Sequence, residues 1–107
     1  MTLSEAQNTV DQWIKKYGVR YFDIKTNMIV LTEEIGEMAK VIARQYGEQS
    51  AKPEDNLNLE DEIADVFWVL LCIANQTNID LTKAFKNNIN KKTVRDNQRH
   101  LNNTKLK

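Results

Sequence analysis

The chain has 107 residues, enough for one domain with a modest core. Charged residues make up 28% and the hydrophobic set 41%, the balance of an ordinary water-soluble globular protein rather than a disordered or fibrous one. The longest apolar run, Val66 to Ala74, is nine residues and too short to span a bilayer.

The N-terminus lacks a signal-peptide pattern. The single cysteine, Cys72, lies in the apolar run, as expected of a buried thiol in the reducing cytoplasm. Net charge is zero but segregated. Residues 1–65 carry 13 acids and 7 bases, while residues 81–107 carry 8 bases and one acid, Asp96. A basic end of this kind is commonly a solvated interaction tail. Paired with an acidic half, it also suits a substrate bearing both metal and phosphates.

One proline and three glycines leave few breaks, so long helices are expected. Helix 1 is predicted from Ser4, as N-cap, to Tyr17, with Gly18 as its stop. Leu3, Ala6, Val10, Trp13, Ile14 and Tyr17 share one face. Trp13 and Tyr17 read as core first and as a base-stacking pair second. Tyr21 and Phe22, in the connection that follows, are candidates to line a substrate pocket.

Helix 2 is predicted from about Lys25 to Tyr46, closed by Gly47. Its apolar stripe is Met28, Leu31, Ile35, Met38 and Ile42, with Glu34 beside it among Val30, Met38 and Val41. An acid among apolar neighbours is costly to desolvate without a partner. Gly36 costs a helix about 1 kcal/mol against alanine. It reads either as a tolerated glycine or as a point of close approach.

Residues 47–57 form a polar loop. Helix 3 is predicted from near Asn58 to about Thr77. It opens with Glu60, Asp61, Glu62 and Asp65 and continues apolar on every side. A helix apolar all round is buried all round, and a small four-helix protomer can hardly surround one, so a second subunit is expected to cover it. Trp68 belongs to that core or interface. Helix 4 starts after Asp80 as N-cap, with Leu81, Ala84, Phe85 and Ile89 as its stripe. Residues 1–100 form the domain, His100 is a surface residue, and residues 101–107 are expected to be a frayed polar tail.

The chemistry lies in two acidic signatures. Glu34-x-x-Glu37 and Glu62-x-x-Asp65 are separated by 24 residues. Acids three apart share one helix side. If the two helices face each other, four carboxylates meet, and they repel unless a cation neutralises them. A lone Glu-x-x-Glu is usually a solvated face. Two of them, one beside an apolar stripe and one opening a buried helix, point to a metal centre. All donors are oxygen, which favours magnesium first and manganese second. No histidine stands at ligand spacing for zinc, and no Glu-x-x-His for a di-iron site.

Leu31-Thr32-Glu33-Glu34-Ile35-Gly36-Glu37-Met38-Ala39 and Leu59-Glu60-Asp61-Glu62-Ile63-Ala64-Asp65-Val66 resemble the MazG-type nucleotide pyrophosphohydrolases of the all-α NTP pyrophosphatase superfamily. Lys86-x-x-x-Asn90, followed by Lys91, Lys92 and Arg95, is similar to that family's phosphate-binding end. The likeness spans roughly residues 5–100. It implies an all-α, four-helix bundle-like protomer completed as a dimer or a dimer-of-dimers tetramer. The implied reaction is magnesium-dependent cleavage of nucleoside triphosphates between the α- and β-phosphates. The resemblance assigns metal binding to Glu34, Glu37, Glu62 and Asp65. Phosphate contacts fall to Lys86 and Asn90, then to Lys91, Lys92 and Arg95. Glu33 or Glu37 would orient the attacking water, with Glu37 alternatively a ligand only. The competing reading is a non-enzymatic helical module binding nucleic acid or an acidic partner through its basic end. The nucleotide reading expects no nucleic-acid or membrane partner.

Overall fold

The computed structural model describes residues 1–107, and its only regular elements are helices. Four helices run α1 Leu3–Trp13, α2 Ile24–Gln45, α3 Leu59–Gln76 and α4 Leu81–Asp96. No helix is long and apolar enough to cross a membrane.

Each helix starts on a side chain that satisfies an otherwise orphaned backbone donor. At α1 the cap is Thr2, two residues before the expected Ser4. The Thr2 hydroxyl accepts from Glu5 N, and Glu5 Oε1 accepts from Thr2 N, both at 3.0 Å. A glutamate closes this reciprocal box, whereas Gln7 is occupied elsewhere. Its amide donates to Ile79 O at 2.8 Å and its oxygen accepts from Leu81 N at 2.9 Å. Asp23 caps α2, Asn58 caps α3, and Asp80 caps α4 as expected. Tyr46 N bonds back to Ile42 O to end α2. At Gly47 a Cβ would stand 2.7 Å from Ala43 O, so the chain needs glycine to leave the helix there.

α3 is the central element. α1 packs on it antiparallel, since Gln7 meets Asn75 and Trp13 meets Trp68. α2 lies antiparallel along another side, and Asn27 donates to Gln76 Oε1 at 2.7 Å near the C-terminal end of α3. The buried cluster is Ala6 and Val10 of α1 with Leu71 and Cys72 of α3. α4 packs against α1 and buries no residue of its own.

The inward stripe of α2 is rotated from the predicted one. Asn27, Leu31 and Val41 are buried, with Glu34 and Met38 between them. Met28, Ile35 and Ile42 face outward and are 43–53% exposed. The acid at position 34 lowers the apparent hydrophobicity of the true inner face, which explains the shift. On α3, Ile63, Phe67 and Leu70 are likewise 40–51% exposed, although Val69, Leu71, Cys72 and Ala74 are buried. Only nine residues of 107 are buried. The radius of gyration is 17.6 Å, against about 13 Å for a compact domain of this length.

α1 widens into a π-helical turn, Ile14–Gly18. Val19 then takes φ 70° and ψ −58°, and Arg20 N bonds to Gly18 O at 2.8 Å. This is the strained hand of the γ-turn, unusual for a β-branched residue. It reverses the chain along α1, so that Tyr21 returns to the level of Asp11. Residues 104–106 form a single 3-10 turn capped by Asn103.

Val19 is 85% exposed, so replacing it disturbs little packing. Backbone strain of this kind costs about 1–3 kcal/mol, and glycine's added chain entropy about 0.5–1 kcal/mol. Val19→Gly should therefore raise the thermal unfolding midpoint by a few degrees, measured by circular dichroism. A lower midpoint would contradict the strain assignment.

Candidate metal centre

The antiparallel register of α2 on α3 decides which acids meet. Asn27 is level with Gln76 near one end of the pair, and further along α2 the Glu34 side chain reaches acids in the first two turns of α3. Carboxylate oxygens of Glu34, Glu62 and Asp65 lie within 4.8 Å of one another. Glu34 and Glu62 are half-buried. Glu37 is exposed on the next turn of α2, and its charge acts on both Glu34 and Glu62. Glu33 is exposed beside Glu34 and adds to the same field.

Burial pushes the Glu34 carboxyl above its ordinary pKa, and Asp65, Glu62, Glu37 and Glu33 push it further. Glu62 is raised by burial first, then by Asp65, Glu37 and Asp61; Lys40 alone pulls it back. None of these acids pairs with a cation at salt-bridge distance. The donor set is all carboxylate, half-sheltered and uncompensated. That suits a hard divalent cation, for which Glu34, Glu62 and Asp65 converge, while Glu37, the fourth expected ligand, lies outside that group and acts on it only through its charge.

Other predicted residues lie apart from the acids. Tyr21 OH donates to Asp11 Oδ1 at 2.7 Å and accepts from Asn75 Nδ2 at 3.1 Å. Its phenol is pushed up to about 12, by burial and by the Asp11 carboxylate. Phe22 O accepts from Gln76 Nε2 at 2.9 Å. Both contacts fall near the C-terminal end of α3, about 15 Å along the helix from Asp65 at its 1.5 Å rise per residue. The γ-turn carries the two residues there, a reversal no residue pattern announced.

Lys86, Asn90, Lys91, Lys92 and Arg95 are exposed on α4. Arg95 pairs with Asp96 at 2.8 Å, and no α4 cation reaches the acids within the protomer. Gly36 has no atom within 4 Å of a Cβ built there, so nothing in the protomer uses the space it leaves.

Trp68 and Lys40, near the acids, went unread in the sequence as site residues, whereas Trp13 and Tyr17 carried the base-stacking reading second to core. Trp68, three residues after Asp65, meets Trp13 edge-on at 5.2 Å, and Trp13 meets Tyr17 at 5.5 Å. Lys40 follows Glu37 by three. In both cases the helical spacing was the available signal.

Comparison with known proteins converges on one family. Residues 22–100 match the model of the MazG nucleotide pyrophosphohydrolase domain. YpjD of Bacillus subtilis is 38% identical over 99 residues, covering 92% of this chain and 89% of YpjD. The crystal structure of YpjD superposes with a TM-score of 0.80 at 36% identity, covering 90% of this chain and 97% of that one. The Bacillus-conserved MazG protein, a nucleotide pyrophosphohydrolase, superposes at 0.73 with 36% identity, covering 85% and 88%.

The raised Glu34 and Glu62 predict the sign of a pH effect. Between the ordinary carboxylate pKa and the raised one, the folded state binds more protons than the unfolded state. Stability from this cluster therefore falls as pH rises through that window. Glu34→Gln should stabilise the metal-free protein at pH 7 and flatten this slope. It should also remove most of the midpoint increase that magnesium gives the wild type. Thermal melts from pH 5 to 8, with and without magnesium, measure both effects.

Proposed function

The chain belongs to the MazG nucleotide pyrophosphohydrolase family, and from that premise we propose a magnesium-dependent hydrolase of nucleoside triphosphates, with ribose or deoxyribose, acting in the cytoplasm. Water would cleave the bond between the α- and β-phosphates, releasing nucleoside monophosphate and pyrophosphate. The observation that carries this reading is the convergence of Glu34, Glu62 and Asp65, with no cation of the chain paired to them.

Glu34, Glu37, Glu62 and Asp65 would hold magnesium, or manganese in its place. A divalent cation there would supply charge neutralisation and Lewis acidity toward the phosphate oxygens. The remaining work belongs to the side chains. Glu33, exposed and adjacent to Glu34, or Glu37 accepts a hydrogen bond from the attacking water and aims it in line with the leaving pyrophosphate. Asp65 is one helical turn from Trp68, so the Trp13–Trp68–Tyr17 group is better placed than Tyr21 and Phe22 to receive a base.

The protomer supports a homodimer or a dimer of dimers. The outward stripes Met28–Ile35–Ile42 and Ile63–Phe67–Leu70 are too apolar and too extended to stay in water. A second copy also offers a route for Lys86, Asn90, Lys91, Lys92 and Arg95 to the phosphates, since α4 packs against α1 within one protomer.

The pure protein with magnesium and a panel of ribo- and deoxyribonucleoside triphosphates should release pyrophosphate and a monophosphate from at least one of them. Release of orthophosphate alone, or no turnover by folded protein, would refute the reading. Glu34→Gln and Asp65→Asn should each lower kcat by about 10²–10³-fold or more with helicity intact. Light scattering should give a dimer or tetramer, and Leu70→Asp should shift it toward monomer.

A further inference from the structure

Lys40 is the one cation that pulls on a carboxylate of the cluster. It lies on α2, three residues after Glu37 and on the same helix side. Its charge offsets part of the upward push on Glu62. It does not pair with the cluster: its ammonium sits 4.0 Å from Asp55 Oδ1, and its side chain is 46% exposed.

Asp55 does not depend on this contact. Its Oδ2 takes Arg44 Nη1 at 2.6 Å and Lys52 N at 2.8 Å, and its side chain is only 7% exposed. Arg44 and the Lys52 amide thus pin the loop between α2 and α3, and Lys40 rests at the outer limit of ion pairing. A flexible ammonium held this loosely, between a satisfied carboxylate and an uncompensated acidic cluster, is free to change partner. A polyphosphate carried to the acids brings several negative charges to the same place. Within the protomer no α4 cation is there to meet them.

We propose that Lys40 is a phosphate-binding residue of this site: Asp55 parks its ammonium in the free protein, and it moves to oxygens of the nucleotide's phosphate chain when substrate binds. The inference rests on the nucleotide pyrophosphohydrolase reading. It differs from two simpler roles, screening the acids and bracing the loop.

The test compares wild type, Lys40→Gln and Lys40→Arg. Metal affinity is measured first, by manganese titration without nucleotide. Binding of inorganic pyrophosphate and of a non-hydrolysable triphosphate analogue is then measured by calorimetry at saturating magnesium, alongside steady-state kinetics. Lys40→Gln should bind manganese as well as wild type or better, because a nearby positive charge is gone. It should weaken the analogue and raise KM by about 10- to 100-fold, the worth of a charge-assisted contact, with Lys40→Arg recovering most of the loss. Unchanged analogue affinity in Lys40→Gln would overturn the proposal and leave the screening role. A loss matched by weaker manganese binding, or by a lowered unfolding midpoint, would overturn it in favour of the bracing role. If wild type binds the analogue but hydrolyses no triphosphate, the hydrolase reading fails while the binding comparison still decides Lys40. If wild type binds no nucleotide, both fail.

Discussion

Three carboxylates whose oxygens lie within 4.8 Å, two of them half-buried, set the terms for the rest of this protein. Burial and mutual repulsion both work against the charged forms of Glu34 and Glu62, and no cation pairs with the cluster, Lys40 alone easing Glu62. The fold must hold them together without the help of the ion they imply. It does so through the antiparallel pairing of α2 and α3, the most extensive helix contact in the chain. At the other end, Asn27, buried and bonded to Gln76, sets the register. A slip of one residue on either helix would break that bond and turn an acid out of the cluster. The polar contact and the metal centre are thus two ends of one constraint.

Placing the acids on the inner face has a cost in packing. The positions that would carry leucine or isoleucine in a simple bundle carry Glu34 on α2, and Glu62 and Asp65 on α3. The buried cluster of four lies on the other side of α3, where Ala6, Val10, Leu71 and Cys72 meet, and on α2 only Leu31 and Val41 are buried apolar residues. Small domains are marginal even with a full core. With nine buried residues, the protomer leaves two apolar stripes in water, and these are what the proposed second copy would cover.

The sequence revealed the local physics well and the tertiary reversals poorly. Asp80 and Asn58 stand where helix caps are chemically needed, and three-residue acid spacing defines a helix side without reference to anything distant. The inward stripe of α2 is rotated from the most apolar one because Glu34, a charged residue, belongs inside. Thr2 displaced Ser4 as cap because Gln7 was drawn off to bridge α3 and α4. Tyr21 and Phe22 lie away from the acids because a π-turn and a γ-turn at Val19 reverse the chain. Neither turn has a residue signature, since both place ordinary residues in uncommon geometry. The α4 cations follow the same pattern. Their spacing is legible, but the sequence does not say that α4 holds them away from the acids of its own protomer.

Charge segregation gives that last point its physical direction. The acidic portion and the basic α4 belong to one chain, yet α4 packs against α1 and leaves its lysines in water. Had they collapsed onto the acids, each protomer would be neutralised internally and the metal centre would be blocked by ammonium groups. Holding them apart leaves an electronegative cluster that suits a divalent cation and a separate electropositive helix. Opposite charges on separated surfaces also favour association with another copy at modest ionic strength, where the Debye length is about 10 Å. A magnesium-bound triphosphate carries the complementary arrangement, a cation at one place and anionic oxygens around it. Separation of charge within the protomer would therefore let the proposed ligand, rather than the protein itself, bring the two charges together.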